Sequence, residues 1–160
     1  EKGIVSSVGT GGAVGYAEGA WQIPVKVNNV QVSAVVDTAA EITIVAQSIH
    51  DQMSPRPEII ASKDVSLAGG GETMTVGFLG DVLVEMGGTH VRHHVYVAPL
   101  QVDMLLGIDF MHGNGVELNC STGDLSVGAS KVPMFKANSP SGLREDMCAL
   151  GPPYGCERPA

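Results

Sequence analysis

Cysteine is scarce in this chain, with three residues, Cys120, Cys148 and Cys156, among 160. An odd number without metal-type pairs excludes a disulfide framework and a cysteine zinc site. It points to reduced thiols in an intracellular protein, with a Cys148–Cys156 bridge near the C-terminus as the alternative. Basic charge is also in short supply: nine Lys and Arg stand against 17 Asp and Glu, for a net charge of −8 and a pI near 4.9. With no Lys/Arg block, a basic face for nucleic acid is excluded, and the acidity reads as ordinary solubility. No apolar run approaches the roughly 20 residues of a membrane span, and no signal-peptide pattern opens the chain. The first residue is Glu1 rather than Met, so the sequence is expected to be a fragment or processed piece of something longer.

Long helical patterns are nearly absent too, and short alternating segments take their place. Residues 3–19 are rich in Gly, Ser and Ala and read as a flexible linker, giving a first segment of 1–20. Within it, Gly9-Thr10-Gly11-Gly12-Ala13-Val14 is a poor dinucleotide loop: Val14 stands where the third glycine belongs, and no strand precedes it. Order is expected from Trp21. Ile23, Val25 and Val27 alternate with polar positions, and Val30, Val32 and the run to Val36 follow Asn28-Asn29. Two period-2 segments joined by Asn-Asn predict a β-hairpin, because Asn tolerates the positive φ of a tight primed turn. Residues 42–49 read as a strand passing into a helical turn, and Ser54-Pro55-Arg56-Pro57 as a loop.

Further strands are expected on both sides of a glycine-rich tip, Ala68-Gly69-Gly70-Gly71, at Val65-Ser66-Leu67 and Thr73-Met74-Thr75-Val76. Residues 82–86 and 91–97 make two more, separated by Gly87-Gly88, and residues 108–112 one short helix. A final hairpin pairs residues 116–119 with 125–127. From Lys136 periodicity is lost, so 136–160 is read as a disordered tail or linker beyond a domain of 21–135. Short strands and frequent turns predict an all-β, closed barrel-like domain with one short helix.

The chemistry centres on Asp37-Thr38-Ala39-Ala40-Glu41, set between the apolar runs Ala34-Val35-Val36 and Ile42-Thr43-Ile44-Val45. A carboxylate so flanked is held by a sheet framework and is a candidate for acid/base work. Three segments together resemble the retropepsins, the aspartic proteases of retroviruses and LTR retrotransposons, and the Gypsy-type proteases above all. They are Val35-Val36-Asp37-Thr38-Ala39-Ala40, the Ala68–Gly71 tip, and Leu105-Leu106-Gly107-Ile108-Asp109-Phe110, in family order and spacing.

The resemblance implies an acid-protease barrel that forms a homodimer and needs no metal or cofactor. It implies that Asp37 is the catalytic aspartate and that Thr38 bonds across the dimer to lock the two active-site loops. It also makes Ala68, Gly69, Gly70 and Gly71 the flap over substrate, with Leu105-Leu106-Gly107 packed beneath the active-site loop. Glu41 matches an acidic position that touches substrate backbone, and Val102, Leu105 and Leu106 are candidate pocket walls. The substrate implied is an extended peptide, within a retrotransposon polyprotein. An aspartic protease needs two carboxylates, one ionised to activate water and one protonated toward the scissile carbonyl. The chain carries a single Asp-Thr, so the second must come from another subunit.

Two positions depart from the family. Ala39 stands where Gly is usual, adding a methyl and restricting positive φ. This motivates an alternative reading as a catalytically silent dimerisation or peptide-binding module. Ile108 replaces an Arg that pairs with the acid at position 41. Asp109 is expected to cap or anchor the short helix. His90, His93 and His94 offer no complete ligand set; on a strand His93 is expected on the face opposite His90 and His94, all three being surface or edge histidines.

Overall fold

The computed structural model describes residues 4–5, 19–67 and 71–136. A two-residue strand, β1 (Ile4–Val5), opens it. β2 (Trp21–Val27) and β3 (Val30–Val36) then pair antiparallel with Val27 opposite Val30. The connecting Asn28 and Asn29 adopt φ of 47° and 71°. Those are the positive values that a primed two-residue turn demands, so the hairpin follows from its turn residues. β4 (Ile44–Ala46) runs into α1 (Gln47–Gln52), and β5 (Ala61–Leu67) and β6 (Thr73–Met86) form the long antiparallel pair that bears the glycine-rich tip. β7 (Thr89–Ala98), β8 (Met104–Leu106) and α2 (Ile108–Gly113) follow. The chain closes with β9 (Glu117–Asn119), β10 (Asp124–Val127), β11 (Ser130–Pro133) and β12 (Phe135–Lys136).

The strand order β6-β7-β4-β8-β3-β2 returns to β6 through Lys26–Glu85 and Val27–Val84, closing a barrel. β5 and then β1 extend this sheet beyond β6, while β12 lies beside β2. β9, β10 and β11 form a separate antiparallel sheet. The all-β barrel expected from the sequence is therefore present, with four differences. There are two short helices rather than one: the helical turn expected after the strand in 42–49 is present and runs on to Gln52 as α1. β6 is one strand rather than two: at Gly80, φ is +80° and a bulge opposite Val95 bends the strand without ending it. Ile4–Val5, inside the segment read as linker, pairs in parallel with Ser66 and Leu67. β11 and β12 follow the expected last hairpin. The tail reading for residues 137–160, like Ala68, Gly69 and Gly70 of the flap, lies outside the described residues.

Two hydrophobic clusters flank the central strands. Ile23, Val25, Val27, Val84, Met104, Leu106 and Phe110 belong to the larger. Val35, Ala40, Ile42, Ile44, Val65, Val76 and Leu105 form the smaller one, on the flap side. Successive residues of β3 and β8 alternate between them: Ala34 and Met104 enter the larger, Val35 and Leu105 the smaller. Strands covered on both faces read as continuous apolar runs, which is why Ala34-Val35-Val36 at the end of β3 and Met104-Leu105-Leu106 of β8 lack the polar alternation seen in β2 and in the first half of β3.

Candidate active site

Asp37 is the first residue beyond β3. That strand lies between antiparallel β2 and parallel β8, so the backbone reaching Asp37 is held from both sides. The ladder continues past the strand end, where Asp37 N–H donates to the Leu106 carbonyl at 3.0 Å. The loop then turns back: Ala40 N–H donates to Asp37 O at 3.1 Å, and Ala39 N–H donates to Asp37 Oδ1 at 3.0 Å. The carboxylate is thus aimed by its own loop and is only 9% exposed. Thr38, Ala39 and Glu41 project at the exposed rim. Among described residues the non-glycine positions with positive φ are Asn28 and Asn29, so Ala39 holds its place without entering the region that glycine alone tolerates well.

A second loop locks the first from beneath. Ile108 N–H donates to the Ala40 carbonyl at 2.8 Å. Gly107 sits so close that a Cβ there would run into the Ile42 carbonyl and lie 2.9 Å from Ala40 O. Its N–H donates to Thr43 Oγ1 at 3.0 Å, and the Thr43 hydroxyl donates to Asp109 Oδ1 at 2.6 Å. Asp109 Oδ1 also accepts from Phe110 N–H at 2.6 Å, and Oδ2 from Thr43 N–H at 3.3 Å. Asp109 therefore anchors the start of α2 to the loop after Asp37, as its place in the sequence suggested. Thr43, fully buried, is the hub of this network. Sequence reading missed it because a Thr between two Ile reads as an ordinary strand residue. The signal was available, since a hydroxyl buried in an apolar run needs partners. Asp103 was missed likewise; its Oδ2 accepts from Ser33 N–H at 3.1 Å and braces β3.

The other candidates fall into three groups. Leu105 is wholly buried in the smaller cluster with Val35, Ile42 and Ile44, and Leu106 in the larger one. β8 is enclosed on both faces, so both side chains pack as core beneath the Asp37 loop rather than facing open space. Val102 is half-buried at the margin of the smaller cluster and keeps an open side. Gly71 is exposed at the tip of the β5–β6 hairpin, where Leu67 N–H donates to the Glu72 carbonyl at 3.0 Å. Glu41 shares a shallow apolar depression with Ile108, Met111, His112 and Val116, and Ile108 is 40% exposed there.

The histidines differ from expectation. His90 is exposed and lies 3.3 Å from Glu85. His93 is buried, yet its ring stacks on that of His94 at 4.3 Å instead of lying on the opposite side. His94 Nε2 is 3.6 Å from Asp109 Oδ2. His93, His94 and Asp109 thus converge, a grouping invisible from strand periodicity because Asp109 comes from α2.

The model of the "gag-polyprotein putative aspartyl protease" family matches residues 23–113, more than half of the chain. That span contains the Asp37 loop, β5 and β6, and β8 with Gly107. Among solved structures, the retroviral protease-like domain of Ddi1 from Leishmania major is similar at 17% identity. The TM-score is 0.59, covering 75% of this chain and 96% of that one. The EIAV protease complexed with the inhibitor HBY-793 is similar at 19% identity. Its TM-score is 0.52, with 62% of this chain and 92% of that one covered. At such identities the likeness is one of fold. No curated protein matches the chain in sequence.

Proposed function

The chain belongs to the gag-polyprotein aspartyl protease family, and on that footing we propose that it is an aspartic endopeptidase acting as a homodimer. The observation that carries this reading is Asp37 itself. Its carboxylate is fixed by the Ala39 N–H at the end of a braced strand, in a chain with no second Asp-Thr. A two-fold axis beside the loop brings two copies of Asp37 together. Like charges a few ångströms apart share one proton, so one copy activates water while the other donates a hydrogen bond to the scissile carbonyl. Thr38, exposed at the rim, is suited to bond the partner loop.

An extended peptide would lie between this floor and the flap as an added strand, its flanks against Glu41, Val102 and Gly71. The flap closing over it would exclude water. The substrate class we infer is a retrotransposon Gag-Pol-type polyprotein, processed in the cytoplasm or an assembling particle. The protease unit we infer is residues 21–135. The alternative, a silent dimerisation or peptide-binding module, was motivated by Ala39. Ala39 is not among the positive-φ positions, so its methyl group imposes no left-handed backbone strain, which supports the active reading.

The test is a peptide-cleavage assay at mildly acidic pH with the Asp37→Asn variant and with pepstatin. Cleavage is expected to fall at least about 1,000-fold in the variant while the dimer persists. Cleavage that survives the substitution would remove Asp37 from the mechanism. A wild-type dimer that binds peptides and never cuts them would establish the silent module.

A further inference from the structure

The stacked histidine pair and the helix anchor beside it have no part in the reaction above. One ligand atom from each of His93, His94 and Asp109 lies within 4.8 Å of the others. We propose that these three side chains bind a divalent transition metal of the zinc class, joining β7 to α2. Two imidazoles and one carboxylate are the donor set of open zinc sites that keep water in the fourth position. Imidazole donors also select this class of ion over magnesium or calcium.

Each ligand is prepared differently. Asp109 is held from both oxygens: Oδ1 accepts from the Thr43 hydroxyl and the Phe110 N–H, and Oδ2, which faces His94, accepts a longer bond from Thr43 N–H at 3.3 Å. Such outer partners are what orient a ligating carboxylate. The 3.6 Å between Asp109 Oδ2 and His94 Nε2 is near the separation of about 3.3 Å that two ligands reach around one tetrahedral zinc. His93 is fixed as well, buried with Nδ1 2.8 Å from the His94 carbonyl and its ring edge against Phe110. His94 is the least enclosed of the three, its side chain 43% exposed.

The imidazole planes stand 21° apart in the stack, and rings so placed direct their lone pairs along nearly parallel planes. Metal binding therefore requires His94 to swing off His93. Coordination replaces both the stack and the loose His94–Asp109 pair. Through Asp109 and Thr43 the ion would also brace Gly107 under the Asp37 loop. The site would bind whether or not the protein cleaves peptides.

The test uses the full chain, freed of metal by chelation and titrated with zinc by calorimetry and thermal denaturation. Cobalt(II) serves as a spectroscopic probe of tetrahedral nitrogen and oxygen ligation. One ion per chain is expected, with a rise in Tm on saturation and affinity lowered at least about tenfold by His94→Ala. His94→Ala changes an exposed side chain and so reports ligation without loss of the fold. The Asp37→Asn variant should bind zinc as the wild type does, which separates this site from the catalytic carboxylates. Absence of saturable binding, or binding unchanged in both His94→Ala and His93→Ala, overturns the proposal. So does loss of binding in Asp37→Asn.

Discussion

Gly107 shows how one missing side chain sets the geometry of the site. Its φ of −91° suits any residue, so conformational freedom is not what keeps glycine there. The reason is space: a Cβ would collide with the Ile42 carbonyl and crowd Ala40 O. Gly107→Ala must part the two loops, and we expect a loss of about 3 kcal/mol in urea unfolding, the upper end for overpacking. Thr43 supplies the complementary case. Thr43→Val preserves shape but strips the Gly107 N–H and Asp109 Oδ1 of a buried partner. The expected cost is about 1–3 kcal/mol in the same measurement, with Thr43→Ser recovering most of it. Equal stability for Val and Ser would mean that the hydroxyl is not the linchpin. Asp37 was legible in the sequence because a lone acid between apolar runs advertises itself. Thr43 was not, because its role exists only once Gly107 and Asp109 are folded against it, more than 60 residues downstream.

Among the elements, the first hairpin was the most legible and the central strands the least. A pair of Asn residues between alternating segments specifies a turn locally, and the register follows. The two Asn do different work, however. Asn28 Oδ1 accepts from Leu83 N–H at 2.9 Å and its N–H donates to Leu83 O at 2.8 Å, tying the turn to β6. Asn29 is exposed and contributes its φ of 71°. Asn29→Gly should therefore leave Tm unchanged or slightly raised, since glycine reaches that conformation freely. Asn28→Gly keeps the turn and its N–H bond to Leu83 O but removes the Oδ1 that accepts from Leu83 N–H, and should cost about 1 kcal/mol. Indistinguishable Tm values for the two variants would show that the Asn28 side-chain bond to β6 carries no stability. The continuity of β6 was hidden for the opposite reason. Gly77 and Gly80 look like strand breakers, but both pair with β7, and Gly77 with β5 as well, which carries the chain through.

At the scale of the whole molecule, the barrel supplies one aspartate and the proposed chemistry requires two. The hydrophobic pattern made the barrel legible, whereas the partner subunit entered only through the count of Asp-Thr motifs. Concentration then becomes the decisive variable. If the active unit is a dimer, cleavage per mole of chain must fall as the protein is diluted through the dimer's dissociation constant. The same loss should appear in sedimentation at the same concentrations. A monomeric enzyme would keep constant specific activity at every dilution. The pH profile provides an independent check on the same two-fold site. Two carboxylates sharing a proton are active only in the singly protonated form, so the rate should be bell-shaped on the acid side of neutrality. Activity that is flat through that range yet dilution-sensitive would separate the two ideas: the dimer would stand, and the shared proton would not.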